Sequence, residues 1–382
     1  MRIYNVTVMK MDGSAPFHGF VTITGGKIAA VQPGDIAPAP EDIDGKGGLL
    51  LPGFVDAHTH LGIVEDGIDF EGDDCNESTD PFMPHLRAID GINPFDRCFA
   101  EARRHGITTV LSCPGSANPC GGAVTAMKTA GRIADDMAIA EVGIKFALGE
   151  NPKSVYDHRD ETPVTRMATA AILREGLRKA IRYQEDIAAA EADSDLTPPE
   201  FDMKCEALLP LLRREQKAFF HCHRADDIAT AMRIANEFSL DPVLIHATEG
   251  YRIADVLAAK QIPAIVGPLI GARTKPELRE QSAENAAELR KAGVKLAICT
   301  DHPETPVAYL AATAAVAVKG GLPHEEALLA LTASAAEIAG IGDRVGKIEA
   351  GFDADLQLYA TDVNPLSIDA EPEWVMIDGN PV

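Results

Sequence analysis

Between residues 53 and 300 the chain alternates short apolar runs with longer, alanine-rich stretches of helical spacing. The runs cover 53–57, 108–112, 124–128, 141–148, 218–221, 242–246, 264–267 and 295–300. Brief apolar runs bounded by turn residues read as strands buried on both faces. Eight of them with helices between predict an α/β chain closed as a (β/α)8 TIM-like barrel. A doubly wound open sheet is the alternative. The clearest amphipathic helix spans about 164–190. The segment 62–95, rich in Gly, Asp, Asn and Pro, reads as a long loop after the first strand. In a barrel such a loop covers the C-terminal strand ends.

The two ends of the chain follow another pattern. Val21–Thr24 stops at Gly25-Gly26, and Lys27–Val31 stops at Gln32-Pro33-Gly34. This is β punctuation, in a segment too small to be stable alone. The tail has the same character at 354–359 and 373–379. The expected organisation is a small composite β-sandwich from residues 1–52 and 345–382, flanking a barrel at 53–344.

Composition narrows the partners. The chain has 382 residues, 46% hydrophobic and 24% charged, enough for a sizeable core. A formal net charge of −23 argues against nucleic acid and against an anionic membrane. No run of about 18 apolar residues predicts a transmembrane helix, and residues 1–5 carry no signal-peptide pattern. Seven irregularly spaced cysteines suit reduced thiols in the cytoplasm. A homo-oligomer using the 62–95 loop is compatible with this reading.

Candidate chemistry collects at the predicted strand ends. His58 and His60 are two apart on a strand, so both imidazoles face one side. His221, His246 and Asp301 fall at the ends of other strands, which converge on one face of a barrel. Histidines with a carboxylate suit zinc, with manganese or iron as alternatives. Lys145 lies in an otherwise apolar strand, where an ammonium is costly. A neutral lysine there takes up carbon dioxide as a carbamate able to bridge two cations; the competing role is an ion pair, for instance with Glu150. With two cations, a metal-activated hydroxide attacks a carbonyl while Asp301 serves as acid and base. Arg166 and His223 are candidates for substrate binding, Arg166 as a clamp for a carboxylate.

Three segments together resemble the amidohydrolase superfamily: Leu51-Pro52-Gly53-Phe54-Val55-Asp56-Ala57-His58-Thr59-His60, then Thr300-Asp301-His302-Pro303, then the tail at 346–356. The resemblance implies a distorted barrel with a composite β-sandwich. It implies that His58, His60 and Asp301 hold one divalent cation and His221 and His246 a second, with carboxylated Lys145 bridging. Either His221 or His223 serves as the fifth-strand ligand, His221 being preferred. Within the superfamily the chain is most similar to the imidazolonepropionase-like branch, which includes metal-dependent prolidases and carboxypeptidases. Imidazolonepropionases use one metal without a bridging lysine, so Lys145 favours a small-molecule amide substrate such as a dipeptide or N-acyl amino acid. A cyclic amide or imide is the alternative. A deaminase is disfavoured because no Glu follows His221-Cys222-His223.

Overall fold

Each of the eight apolar runs becomes a strand in the computed structural model, which describes residues 1–382. They are β1 (Phe54–Thr59), β2 (Ile107–Ser112), β3 (Cys120–Lys128), β4 (Ala138–Ala147), β5 (Lys217–Cys222), β6 (Pro242–His246), β7 (Ala264–Val266) and β8 (Leu296–Ile298). Hydrogen bonds join them in sequence order from β1 to β8. Beyond β8 the ring is completed against β1. Asp301 N donates to His58 O at 3.1 Å, and Thr300 donates to the buried Asp56 carboxylate through N (3.2 Å) and Oγ1 (2.5 Å). The result is a TIM-like barrel.

Alternation along the strands builds two layers of core. Val55, Leu111, Val142, Phe219, Ile245 and Ala297 pack in one cluster together with the helix Ala333–Ala339. Their neighbours Phe54, Val110, Ile144, Phe220, Leu244 and Ile298 face the surrounding helices. Fully burying such side chains stabilises the fold by about 1.5–3 kcal/mol each. The longest helix, Arg166–Ala192, starts where Thr165 Oγ1 accepts Ala168 N at 3.1 Å. Its buried residues Thr169, Ala170, Leu173, Leu177, Ala180 and Tyr183 keep a spacing of one, three or four, which confines them to one stripe.

One expectation needs correction. β3 is antiparallel to both β2 and β4, and no helix separates β2 from β3. Only seven residues, 113–119, join them, and a parallel crossover needs a dozen or more. The ends of the chain do combine, with hydrogen bonds threading their strands in one continuous order around a core that holds Ile3, Val6, Val21, Leu50, Leu356 and Met376. The order is Asn380–Pro381, Trp374–Ile377, Leu356–Tyr359, Leu49–Pro52, Arg2–Val8, Phe17–Thr24 and Lys27–Pro33, with Ile43–Asp44 beside Arg2–Val8. The reversal of β3 carries Lys128 to this sheet, where its buried ammonium pairs with Asp353 (3.0 Å) and Asp355.

Segment 62–95 runs over the strand ends as expected, with two short 3-10 turns, Phe70–Gly72 and Ala88–Gly91. It docks on the 113–119 turn. Gly115 N donates to Cys75 O at 2.8 Å, and Ala117 N to Asn76 Oδ1 at 2.9 Å. Gly115 is required there, since a Cβ would lie 2.2 Å from Asn76 Oδ1.

Candidate metal centre

The sequence-predicted histidines, Lys145 and Asp301 meet at one mouth of the barrel. His58 and His60 project together from the end of β1, separated by Thr59, whose hydroxyl donates to Leu111 O at 3.1 Å. Lys145 is fully buried on β4. His221 is the penultimate residue of β5 and His223 follows the strand. At His246 and Asp301 the strands end in left-handed backbone, with φ of +70° and +55°. For residues other than glycine that conformation costs on the order of 1–3 kcal/mol. It turns both side chains toward the shared mouth.

Two clusters result, with His246 in both. Ligand-type atoms of His58, His246 and Asp301 lie within 4.8 Å of one another, and so do those of His221, His223 and His246. Asp301 Oδ1 stands 3.1 Å from His58 Nε2 and 3.5 Å from His60 Nε2. The His223 and His246 rings are stacked, 6° from parallel with centroids 4.5 Å apart. Lys145 Nζ donates to Pro114 O at 3.1 Å. It has no ion pair with Glu150, whose carboxylate instead accepts Glu277 N at 3.2 Å.

Hydrogen bonds behind the rings fix which nitrogen faces the mouth. His60 Nδ1 donates to Cys113 O at 2.7 Å, and His246 Nδ1 to Gly267 O at 2.6 Å. A carbonyl only accepts, so each ring keeps a proton on Nδ1 and turns Nε2 inward. His221 also keeps its proton on Nδ1, but the single lone pair of its Nε2 is engaged by a relay. Lys275 Nζ donates to Asn151 Oδ1 at 2.9 Å, which leaves the Asn151 amide nitrogen to donate toward His221 Nε2 at 3.4 Å. His221 Nδ1 then donates to Ser116 Oγ at 2.9 Å.

The charge states agree with a cation site. Burial pushes His58, His221 and His223 well below the usual imidazole range, and lowers His246. Burial also lowers Lys145. Asp301 moves the other way: burial opposes its ionisation, yet His246, His58 and His60 hold it well below the usual carboxylate range. His60 is the exception among the rings, lifted to about 10 against burial by Cys75 and Asp301. Both ring nitrogens of His58 and Nε2 of His223 are buried without a hydrogen-bond partner. In the rings other than His60, burial favours the neutral imidazole, the form that binds a divalent cation, and it does so beside an ionised carboxylate.

Arg166 does not join the cluster. Its guanidinium forks onto Asp227 at 2.8 and 3.1 Å, so the expected carboxylate clamp is already engaged inside the protein. Sequence reasoning missed Ser116, Asn151, Lys275 and Glu277, all in connections that follow barrel strands, Asn151 in the helix Glu150–Asp157 and Glu277 in the 3-10 turn Pro276–Leu278. Glu277 is buried with Oε1 3.5 Å from His223 Nε2 and 3.8 Å from His221 Nε2. No periodic pattern marks these positions. The one available signal was Lys275-Pro276-Glu277, two charges in the long connection after β7.

The sequence profile of the amidohydrolase family matches residues 49–382. Amidohydrolase tasK of Hapsidospora irregularis is 30% identical over 392 residues, covering 94% of this chain, which spans only 39% of that protein. An imidazolonepropionase of Acidiphilium cryptum (strain JF-5) is 27% identical over 382 residues, covering 88% of this chain and 84% of its own length. A solved amidohydrolase from Thermotoga maritima MSB8 superposes with a TM-score of 0.95 at 41% identity, covering 100% of this chain and 99% of its own. A prolidase solved with N-methylphosphonate-L-proline shares the fold at 17% identity and a TM-score of 0.64, over 100% of this chain and 98% of its own.

Proposed function

The chain belongs to the amidohydrolase family and is a hydrolase acting on carbon–nitrogen bonds, and from that premise we propose that it cleaves an amide bond in a dipeptide, N-acyl amino acid or cyclic amide using two divalent cations. The observation that carries this reading is the convergence of His58, His60, His221, His246 and Asp301 around the buried amine of Lys145. Zinc suits the mixed nitrogen and oxygen donors, with manganese and iron(II) as alternatives. Bound there, such a cation lowers the pKa of its water toward neutrality and polarises the amide carbonyl.

The chain's own groups do the rest. Asp301 turns Oδ1 to His58 and His60, leaving Oδ2 to take a proton and return it to the leaving nitrogen. Burial lowers the Lys145 pKa and so favours the neutral amine. That amine would add to carbon dioxide, its N–C bond forming as one C=O π bond opens and one N–H proton passes to water, and the carbamate would supply a carboxylate to the cation site. His58, buried without partners, and His246, locked by Gly267, hold their positions before any cation arrives.

The relatives favour a second reading within the same chemistry. The imidazolonepropionase of Acidiphilium cryptum aligns over most of its length, which supports a cyclic amide. Lys145 supports a linear one. A deaminase remains the least favoured reading, since no acid follows His221-Cys222-His223. The deciding experiment is metal analysis of purified protein, followed by a screen of dipeptides, N-acyl amino acids, lactams and imidazolones with zinc- and manganese-loaded enzyme. Two cations per chain and turnover abolished by chelation are expected. Less than one cation per chain, with turnover indifferent to chelator, would sink the proposal.

A further inference from the structure

We propose that Asp96 and His302 grip one buried water between them, and that this link holds Asp301 in place for proton transfer. The proposal rests on the role given to Asp301 above. It adds two positioning residues, neither of them a cation ligand.

A carboxylate oxygen of Asp96, the sulfur of Cys98 and a ring nitrogen of His302 lie within 4.8 Å of one another, and all three residues are buried. Such donors suit zinc, but proton placement argues against a cation. Val307 N donates to His302 Nδ1 at 3.2 Å. That nitrogen supplies the single lone pair of the neutral ring, so Nε2 carries the hydrogen. Asp96 is likewise half used: its Oδ1 accepts Cys98 N at 3.1 Å and caps the helix Arg97–Arg104. Asp96 Oδ2 and His302 Nε2 remain, both buried and both without a hydrogen-bond partner. One is an acceptor and the other a donor, yet they are not bonded to each other. Two hydrogen bonds of about 2.8 Å through one water span about 4.5–5 Å, which suits this cluster. The Cys98 thiol lines a third side, and a buried water needs two to four polar neighbours.

His302 sits where such a link bears on the reaction. Asp301 N donates to His58 O at 3.1 Å and His302 O accepts His60 N at 2.9 Å, so the turn after β8 is stitched to β1 through both residues. The turn passes through the left-handed backbone of Asp301, a conformation that persists only where its surroundings enforce it. Backbone bonds hold the side of the turn that faces β1. The His302 ring holds the other side, by Nδ1 to Val307 and by Nε2, through the water, to Asp96. Asp96 is itself anchored: its N donates to Asn93 O at 3.1 Å, and Asn93 N donates to Gly62 O at 2.9 Å. The water thereby ties the far end of the covering loop to the residue beside Asp301. Without that tie the turn is free to move Asp301 Oδ1 off its 3.1 Å and 3.5 Å contacts with His58 and His60.

The test uses the full zinc-loaded chain and a substrate found by the screen above. A high-resolution crystal structure should show a peak, without anomalous zinc signal, within about 3.2 Å of both Asp96 Oδ2 and His302 Nε2. No peak, or a zinc peak there, would overturn the proposal. Asp96→Asn keeps the helix cap but sets an N–H donor where the water needs an acceptor. His302→Asn keeps an acceptor for Val307 N but withdraws the donor. Each should lower kcat about 10–100-fold with KM within about threefold and zinc content unchanged. The double variant should be no slower than the slower single, as for two groups acting through one link. Wild-type kcat in either variant, or losses that multiply in the double, would refute the link. Near-normal turnover in Asp301→Asn would remove Asp301 from proton transfer and this proposal with it. If neither variant folds, the presence or absence of the wild-type peak decides.

Discussion

Replacing Lys145 by Met should separate stability from activity. The side chain is wholly buried, makes one hydrogen bond, 3.1 Å to Pro114 O, and has no ion pair. Met fills a similar volume at a cost usually below about 1.5 kcal/mol. Leaving Pro114 O unsatisfied costs about 1–3 kcal/mol. Against this, folding no longer has to deprotonate or desolvate an ammonium, a penalty of several kcal/mol for a charge taken out of water. In the metal-stripped protein the opposing effects leave Lys145→Met between unchanged and about 2 kcal/mol more stable by urea denaturation. Activity should move the other way. With no amine to carboxylate, the bridging ligand is lost, and kcat/KM should fall at least about a hundredfold, or ~2.7 kcal/mol of transition-state stabilisation. Metal content should drop in parallel. A variant more than about 3 kcal/mol less stable, yet active within about threefold, would show Lys145 to be structural and refute the reasoning.

Other substitutions test other parts of the site. Burial pushes the Asp56 carboxyl up to about 7. Since this lies above the unfolded value, its stabilising effect is full below about pH 4 and is lost as pH rises through about 7, by up to roughly 4 kcal/mol. Asp56→Asn should therefore remove that slope from the variant's own stability curve, so that the difference between variant and wild type changes across pH 4–8, measured by denaturation of metal-free protein; a difference independent of pH would show that Asp56 is already ionised in the folded chain. Arg166→Ala should cost about 1–3 kcal/mol by leaving Asp227 buried and unpaired, with KM unchanged within about threefold; a tenfold rise in KM confined to substrates with a free carboxylate would restore Arg166 as a clamp. Asp301→Asn should keep the fold by circular dichroism and lower kcat about 10²–10⁴-fold; near-normal turnover would remove Asp301 from proton transfer.

The strand ends were legible because two independent patterns coincide there. An apolar run predicts each strand, and at β1, β5, β6 and β8 a ligand-type residue sits at or just beyond the end, so His58, His221, His246 and Asp301 could be placed on one face from the sequence alone. Strand direction was less accessible. Apolarity does not distinguish parallel from antiparallel, and the clue for β3 was the brevity of the 113–119 connection. The terminal strands were legible, but their order depends on long-range pairings such as Leu50 with Leu358. Glu277, Asn151 and Lys275 were invisible because loop residues reach the site by chain path and not by period. Arg166 pairs with Asp227, sixty-one residues away, a partner that spacing along the chain does not reveal.

The seven-residue turn between β2 and β3 brackets the whole mouth. Cys113 O holds His60, Pro114 O holds Lys145 and Ser116 Oγ holds His221, so groups assigned to both cations lean on one short stretch of backbone. The covering loop is fastened to the same stretch through Cys75, Asn76 and Glu77. Diversification of the covering loop is thereby divided: its free portions can drift to suit new substrates, whereas the three fastened positions cannot change without loosening ligands on several strands at once. For the same reason, amide exchange along 113–119 should register the mouth unlocking as a single event.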